Sequence, residues 1–293
     1  MSARDDLSRP ENGPTGTGSA RRDSAGRGSV GVRPADNTSA GLELAGLSRR
    51  FGGVYANRDV SFSVAPGELR GVIGPNGAGK STLFGLISGH VRPQEGAIRL
   101  DGQRIDRLPP HRRAQRGIAI VFQGARLFPG MTVLENVAVG AHARTRSGPL
   151  DAVVRSPRHR REEKEIRADA EEALARVGLA DWAGRGAEQL PLGQQRRLQV
   201  ARALTARPRV LLLDEPASGL RADERDDLRG LIRELHDDGT TILLIEHDVA
   251  MVTALADRIA VLDLGRLIAD GTPDEIRRDP AVIAAYLGSE AAA

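Results

Sequence analysis

Gly74-Pro75-Asn76-Gly77-Ala78-Gly79-Lys80-Ser81 fits the pattern G-x-x-x-x-G-K-[ST] at every fixed position. Before it, Leu69-Arg70-Gly71-Val72-Ile73 reads as the end of a buried strand. After it, Ser81-Thr82-Leu83-Phe84-Gly85-Leu86-Ile87-Ser88 opens a helix. Glycines let successive backbone N–H groups turn inward around a phosphate, because no Cβ blocks the unusual dihedrals. The helix behind the loop aims its positive end at the same anion. Lys80 adds a point charge for β- and γ-phosphates, and the Ser81 hydroxyl suits Mg²⁺. Lys80 is one of two lysines in a chain otherwise basic through arginine. A compact ammonium fits such a loop where a forked guanidinium would not. The competing reading, a chance glycine-rich turn, does not require strand and helix on either side.

The 293 residues suit one large α/β domain, or one with a smaller insert. With 40% hydrophobic and 28% charged residues the composition is that of a globular protein. The net charge is only +3, so the pI of about 9.9 reflects arginine in place of lysine. Acidic residues are interspersed throughout, and no nucleic-acid partner is expected. Without cysteine there is no disulfide and no thiolate metal site. No run reaches the roughly 18–20 apolar residues that span a bilayer. The N-terminus lacks the apolar stretch of a secretory signal. Work at a membrane would therefore require docking to another protein.

Residues 1–40 are rich in Gly, Ser and Pro and poor in large apolar residues. Such a segment cannot offset its chain entropy, so it is expected to be a disordered tail, a plain extension in preference to a regulatory element. Order is expected from Gly41. Leu42 to Leu47 and Val60 to Val64 alternate as half-buried strands. Phe51-Gly52-Gly53 and Pro66-Gly67 mark turns. Gly96 to Gly102 reads as a strand ending in a turn, and Ile118 to Phe122 as an apolar strand closed by Gln123. From about Gly124 to Gln189 the pattern turns helical, with helices over Val133 to Arg144 and Arg161 to Val177 and an irregular excursion at 145–160. The cluster Arg155 to Arg161 reads as a solvated surface, the competing reading being a contact with lipid headgroups or a partner. A helix over Gln194 to Ala206 stops before Pro208. Val210 to Asp214 and Thr241 to Ile245 are continuously apolar, as in parallel strands buried on both faces. Helices over Asp223 to His236 and Val249 to Asp257, a hairpin of Ile259 to Asp263 with Arg266 to Asp270, and one helical segment over Thr272 to Leu287 complete the chain. Strands alternating with helices mean a mostly parallel α/β sheet; the alternating strands add antiparallel pieces.

Val210-Leu211-Leu212-Leu213-Asp214-Glu215 is an apolar strand ending in two acids, at the end where α/β proteins place ligands. Asp214 is placed to hold Mg²⁺ through water, and Glu215 to polarise a water that attacks phosphorus. Gln123 closes a strand between the two motifs. Gln189-Leu190-Pro191-Leu192-Gly193-Gln194-Gln195-Arg196-Arg197 lies just upstream of the acids, and His247 comes after the strand Thr241 to Ile245. Each later motif alone is weak. All five in this order resemble the nucleotide-binding subunit of ABC transporters, over nearly all of residues 41–290. The resemblance implies a P-loop NTPase of the ABC ATPase kind. Its core sheet is mostly parallel, with an antiparallel β subdomain and an α-helical subdomain inserted at about 124–189.

The resemblance also implies roles. Phe51 would stack on adenine, the competing reading being a core aromatic. Gly74, Pro75, Asn76, Gly77, Ala78, Gly79, Lys80, Ser81 and Thr82 would cradle the phosphates of ATP. Gln123 would sense Mg²⁺, beside the ligands Ser81 and Asp214, and link the site to a transmembrane partner. Glu215 would be the catalytic base and His247 the γ-phosphate contact, the competing reading of His247 being a polar helix start. Leu190, Gly193 and Gln194 would face the ATP of a second subunit. Two departures stand out. The family signature usually reads L-S-G-G-Q, and Pro191 has neither the serine hydroxyl nor an N–H. Losing such a bond costs about 1.5–3 kcal/mol; with the Gly193 N–H and the helix start remaining, a weakened trans contact is expected. In Ser218-Gly219-Leu220-Arg221, arginine stands where Asp or Asn is usual.

The run Phe122 to Phe128, Gly193 to Leu198, Ile245-Glu246-His247-Asp248, the tail Gly271 to Ile276 with Ala285-Tyr286-Leu287-Gly288, and the excursion near 143–168 are similar to the ATPases of branched-chain amino acid importers. This implies an ATP-hydrolysing subunit peripheral to the cytoplasmic face of the cell membrane. Its partners would be permease subunits, a second ATPase subunit (identical or sister chain) and, indirectly, a substrate-binding protein. The competing class is a catalytically impaired nucleotide-binding subunit that closes on ATP as a structural switch in a heteromeric complex. Pro191 and Arg221 motivate it; Glu215 opposes it. A soluble ABC ATPase acting on DNA or ribosomes would carry long coiled coils or tandem domains, and neither is visible.

Overall fold

The apolar runs Val210–Asp214 (β7) and Thr241–Ile245 (β8) lie side by side in parallel, in register from Val210 opposite Thr241 to Asp214 opposite Ile245. The computed structural model describes residues 41–124, 127–144 and 157–290. The expected tail at 1–40 lies outside them, as do residues 145–156 of the expected excursion.

Among the described residues the strands form two sheets. Leu42–Phe51 (β1), Val54–Val64 (β2), Glu95–Leu100 (β4) and Gln103–Arg104 (β5) make an antiparallel sheet in the order β2-β1-β4-β5. Leu69–Ile73 (β3), Ile118–Val121 (β6), β7, β8, Arg258–Asp263 (β9) and Arg266–Gly271 (β10) make the larger sheet, in the order β10-β9-β3-β8-β7-β6. It is parallel except for β10, which returns antiparallel on β9. Val72 pairs with Ile245, Asp214 with Ile245 and Val121 with Leu213. The ends of β3, β6, β7 and β8 are therefore level, and the loops leaving them emerge at one edge.

The larger sheet separates two apolar cores. Leu211, Leu213, Ile242 and Leu244 face a core shared with the helices Val133–Ala141 (α3), Pro157–Arg176 (α4) and Leu192–Leu204 (α5). Leu212, Leu243 and Ile245 face the other core, with Lys80–Ser88 (α1) and the antiparallel sheet. The period-2 alternation of strand side chains produces this division.

Three local features differ from expectation. Pro110–Gln115 forms a helix (α2) in a stretch to which the sequence analysis assigns no element. Proline at the first helical position gives up an N–H that has no partner there anyway. The same reason lets α4 begin at Pro157, inside the stretch expected to be irregular. The closing helix is two: Pro273–Arg278 (α8) and Pro280–Glu290 (α9), split because Asp279 precedes a proline and takes an extended conformation. The remaining helices are Ala222–Asp237 (α6) and Val249–Leu255 (α7). No helix among the described residues is long and apolar enough to cross a membrane.

Candidate functional site

The glycine-rich loop leaves β3 and enters α1. Two of its glycines are required by contact. A Cβ on Gly74 would lie 2.1 Å from the Leu262 carbonyl oxygen, and one on Gly79 2.1 Å from that of Ala56, both at positive φ. Gly79 caps α1 in the left-handed conformation, so the first-turn N–H groups point into the loop. The loop encloses a cavity of about 220 Å³ lined by Ala56, residues 76–82 and Glu215. Inside the loop, Lys80 Nζ donates to the carbonyls of Gly74 at 2.7 Å and Pro75 at 3.0 Å. Burial lowers the Lys80 pKa, while the charges of Glu215 and Asp214 oppose that shift. The loop is thus a cradle of N–H donors around a cation, a fit for a polyphosphate.

The level strand ends bring the acids to this cradle. Asp214 closes β7 half-buried. Burial, and then the Glu215 charge, push its carboxyl up to about 6, with Lys80 pulling the other way. Glu215, the next residue, sits in the left-handed region at φ 46, a strain of about 1 kcal/mol for a residue with a side chain. Its N–H donates to the Ile245 carbonyl at 2.9 Å. Its Oε2 accepts from Gln123 Nε2 at 2.7 Å. That bond assigns the Gln123 amide, leaving its side-chain oxygen turned from Glu215. The oxygens expected to serve as ligands, the Ser81 hydroxyl, the Asp214 carboxylate and the Gln123 side-chain oxygen, are all hard donors, a chemistry that suits Mg²⁺ and not a softer metal.

The other expected residues stand apart. His247 comes after β8, exposed, with Nδ1 3.5 Å from Glu246 Oε2, and it is outside the lining of the cradle. Phe51 ends β1 at 48% exposure with the Arg49 guanidinium 4.6 Å over its ring, which removes the core-aromatic reading. Leu190 is buried, and Pro191 is the N-cap of α5 with no side-chain cap. The Gly193 N–H, expected to be free, lies 3.4 Å from Glu224 Oε1, because α6 starts beside α5 and sets that carboxylate at its end. Gln194 Oε1 is buried without a hydrogen-bond partner. Residues 190–194 do not line the cradle of their own chain.

Tertiary contacts add residues the motifs do not name. Asn57, fully buried, donates to the Gly79 carbonyl at 3.3 Å from behind the loop. The Gly265 N–H in the β9–β10 turn donates to the Ala78 carbonyl at 3.1 Å. Arg113, fully buried, donates to the carbonyls of Leu86 and Ile87 at the far end of α1, and burial lowers its pKa to about 10. A cation there complements the negative end of the helix. Asn57, Gly265 and Arg113 carry no motif signal, whereas Glu246 stands directly before His247 in the sequence.

Comparison with known proteins agrees with this geometry. The family model described as ABC transporter matches residues 57–218, and that of the branched-chain amino acid ATP-binding cassette transporter matches residues 266–292. The chain is 45% identical to the high-affinity branched-chain amino acid transport ATP-binding protein BraF of Pseudomonas aeruginosa, over 84% of this chain and 97% of that protein. It is 43% identical to LivG of Escherichia coli, which carries the same description, over the same shares. Among solved structures it is similar to the ADP conformation of MJ1267, an ATP-binding cassette of an ABC transporter, with TM-score 0.74 and 30% identity over 86% of this chain and all of that one. A nucleotide-free ATP-binding cassette gives TM-score 0.73 and 31% identity over 84% and 98%. Motif order, sheet topology and these likenesses agree, and the chain belongs to the ABC transporter family as one of its ATP-binding cassettes.

Proposed function

We propose that this chain binds and hydrolyses ATP to power an importer of branched-chain or related amino acids. The observation that carries the reading is the Glu215 carboxylate in the lining of the cavity that Lys80 and the loop N–H groups enclose. Residues 41–290 act as one cassette, with the stretch near 124–189 as its helical part. The backbone N–H groups of residues 77–82 bind the phosphates of ATP. Lys80 exchanges its loop carbonyls for phosphate oxygens. Ser81, Asp214 and Gln123 would hold Mg²⁺, which would supply charge neutralisation on the phosphates. Glu215 accepts a proton from the attacking water, His247 contacts the γ-phosphate, and Phe51 stacks on the base. The stretch Leu190, Gly193 and Gln194, with the Leu190 side chain buried beneath it, meets the ATP of a second ATPase subunit, identical or sister, since it lies outside the cradle of its own chain. Closure of that pair drives permease subunits, supplied by a substrate-binding protein, from the cytoplasmic face of the membrane. No nucleic acid takes part.

The test is phosphate release by the assembled transporter. Lys80→Ala is expected to abolish it, and Glu215→Gln to lower it by roughly 10²–10⁴-fold while ATP stays bound. Wild-type rates in either variant would overturn the assignment. Substrate class is checked by stimulation of that rate with leucine-loaded binding protein.

A further inference from the structure

Two buried charges beside the site are not used by that mechanism. Glu246, directly after β8, is 0% exposed. Its Oε1 accepts from the Ala217 N–H at 2.8 Å, and its Oε2 has no hydrogen-bond partner. Arg196, on α5 two residues past Gln194, is almost fully buried. Its Nη1 donates to the Gln123 backbone carbonyl at 2.5 Å and its Nη2 to the Ser218 carbonyl at 3.1 Å, while Nε has no partner. Burial lowers the Arg196 pKa, with the Glu246 charge opposing that shift, and burial raises the Glu246 pKa.

The contacts converge on the catalytic loops. Gln123 holds Glu215 with its side chain and Arg196 with its backbone. Ala217 and Ser218 lie two and three residues past Glu215, and the Ser218 N–H donates to the Glu215 carbonyl at 3.1 Å. Glu246 Oε2 lies 3.5 Å from His247 Nδ1. Both charges are held by backbone groups and not by each other, and stability alone does not account for them, because well-packed apolar residues in place of buried charged groups are often as stable or more so. A buried polar group left unpaired is costly, and here each charge has one unmade bond.

We infer that Arg196 and Glu246 are positioning residues for ATP hydrolysis: together they set Gln123, the loop Ala217–Ser218 and His247 relative to the signature helix. Seating of a second subunit's ATP on residues 190–194 moves the start of α5, and Arg196, about one turn further along, carries that movement to the Gln123 and Ser218 carbonyls. The two unmade bonds, Arg196 Nε and Glu246 Oε2, are the capacity that closure fills. The inference rests on the proposed ATPase reading.

The experiment uses the assembled transporter with Arg196→Met, Arg196→Lys, Glu246→Gln and the double variant Arg196→Met/Glu246→Gln. Steady-state ATPase and binding of a fluorescent ATP analogue are measured. Arg196→Met is expected to lower kcat at least tenfold with KM and analogue affinity within twofold. Arg196→Lys is expected to recover part of kcat. The double variant is expected to be no slower than the slower single variant, because the two residues act as one unit. Unchanged kcat in Arg196→Met, a rise in KM at constant kcat, or additive losses would overturn the inference. If Arg196→Met fails to assemble, the near-isosteric Glu246→Gln carries the test: a fivefold or greater fall in kcat at unchanged analogue affinity supports the inference, and wild-type kcat overturns it. A wild-type complex that releases no phosphate removes the ATPase reading and this inference with it, whereas an active wild type matched by active variants removes the inference alone.

Discussion

Gln123 Nε2 and Glu215 Oε2 are 2.7 Å apart, so residues just past the ends of two neighbouring strands, β6 and β7, share a hydrogen bond across the mouth of the phosphate cradle. The bond holds the proposed base in place from a loop that is itself exposed. Gln123→Ala should lower kcat by roughly 10–100-fold, part of the range ascribed to a positioned base, with a smaller change in KM. Phosphate release over a range of ATP concentrations checks it; a variant with wild-type kcat would show that Glu215 needs no such support.

Pro191 is both the signature position without a hydroxyl and the uncapped start of α5. Pro191→Ser should therefore do two things. It should raise ATPase activity of the assembled complex several-fold, towards the tenfold or more that a bond of about 1.5–3 kcal/mol would supply. It should also raise thermal stability by about 1 kcal/mol through a serine N-cap. A gain in stability without a gain in rate would mean that the hydroxyl is unimportant in trans.

Glu224 spans two helix starts. Its Oε2 accepts from the Arg221 N–H at 3.1 Å at the head of α6, and its Oε1 faces the Gly193 N–H at the head of α5. An anion seated at a helix start is worth about 0.3–1 kcal/mol, and a carboxylate there competes with a phosphate. Glu224→Gln should lower the half-saturating ATP concentration of the complex about two- to fivefold, with a stability loss of similar size. An unchanged or higher half-saturation point would rule out the competition.

Asp169 on α4 accepts from Arg144, which lies just past α3, and from Arg207, just past α5, the latter at 2.7 Å. Burial raises its pKa, but the two guanidinium hydrogen bonds outweigh burial and hold the carboxyl below its usual range. A lowered carboxylate pKa stabilises the fold above the unfolded value of about 3.9, and that stability is lost as pH falls through the folded value. Asp169→Asn should cost about 1 kcal/mol at pH 7, discounted for the exposed Arg207. The gap in urea midpoints should be full above about pH 4 and narrow progressively below it as pH falls through the folded value; a gap independent of pH would refute the charge-based account.

The core strands are legible to the residue because Val210–Asp214 and Thr241–Ile245 are unbroken apolar runs between turn formers. The helix starts at Pro110 and Pro157 are not, since proline reads as an interruption until the chain is seen to place it in a first turn. The glycine loop and the two acids are contiguous and end strands, so local pattern plus strand register brings them together. Glu224 lies 31 residues from Gly193 and Arg196 lies 73 from Gln123, separations that no spacing rule reports. For that reason the sequence alone leaves the Gly193 N–H without its carboxylate.

Leu211 and Leu212 are joined by one peptide bond, yet they face opposite cores of the larger sheet. One answers to the helices that carry the signature, the other to the helix behind the phosphate loop. Variation at these neighbours is therefore inherited by different halves of the machine. A substitution at an odd-numbered leucine of β7 is felt first in the helical core, and one at Leu212 in the core behind the nucleotide cradle.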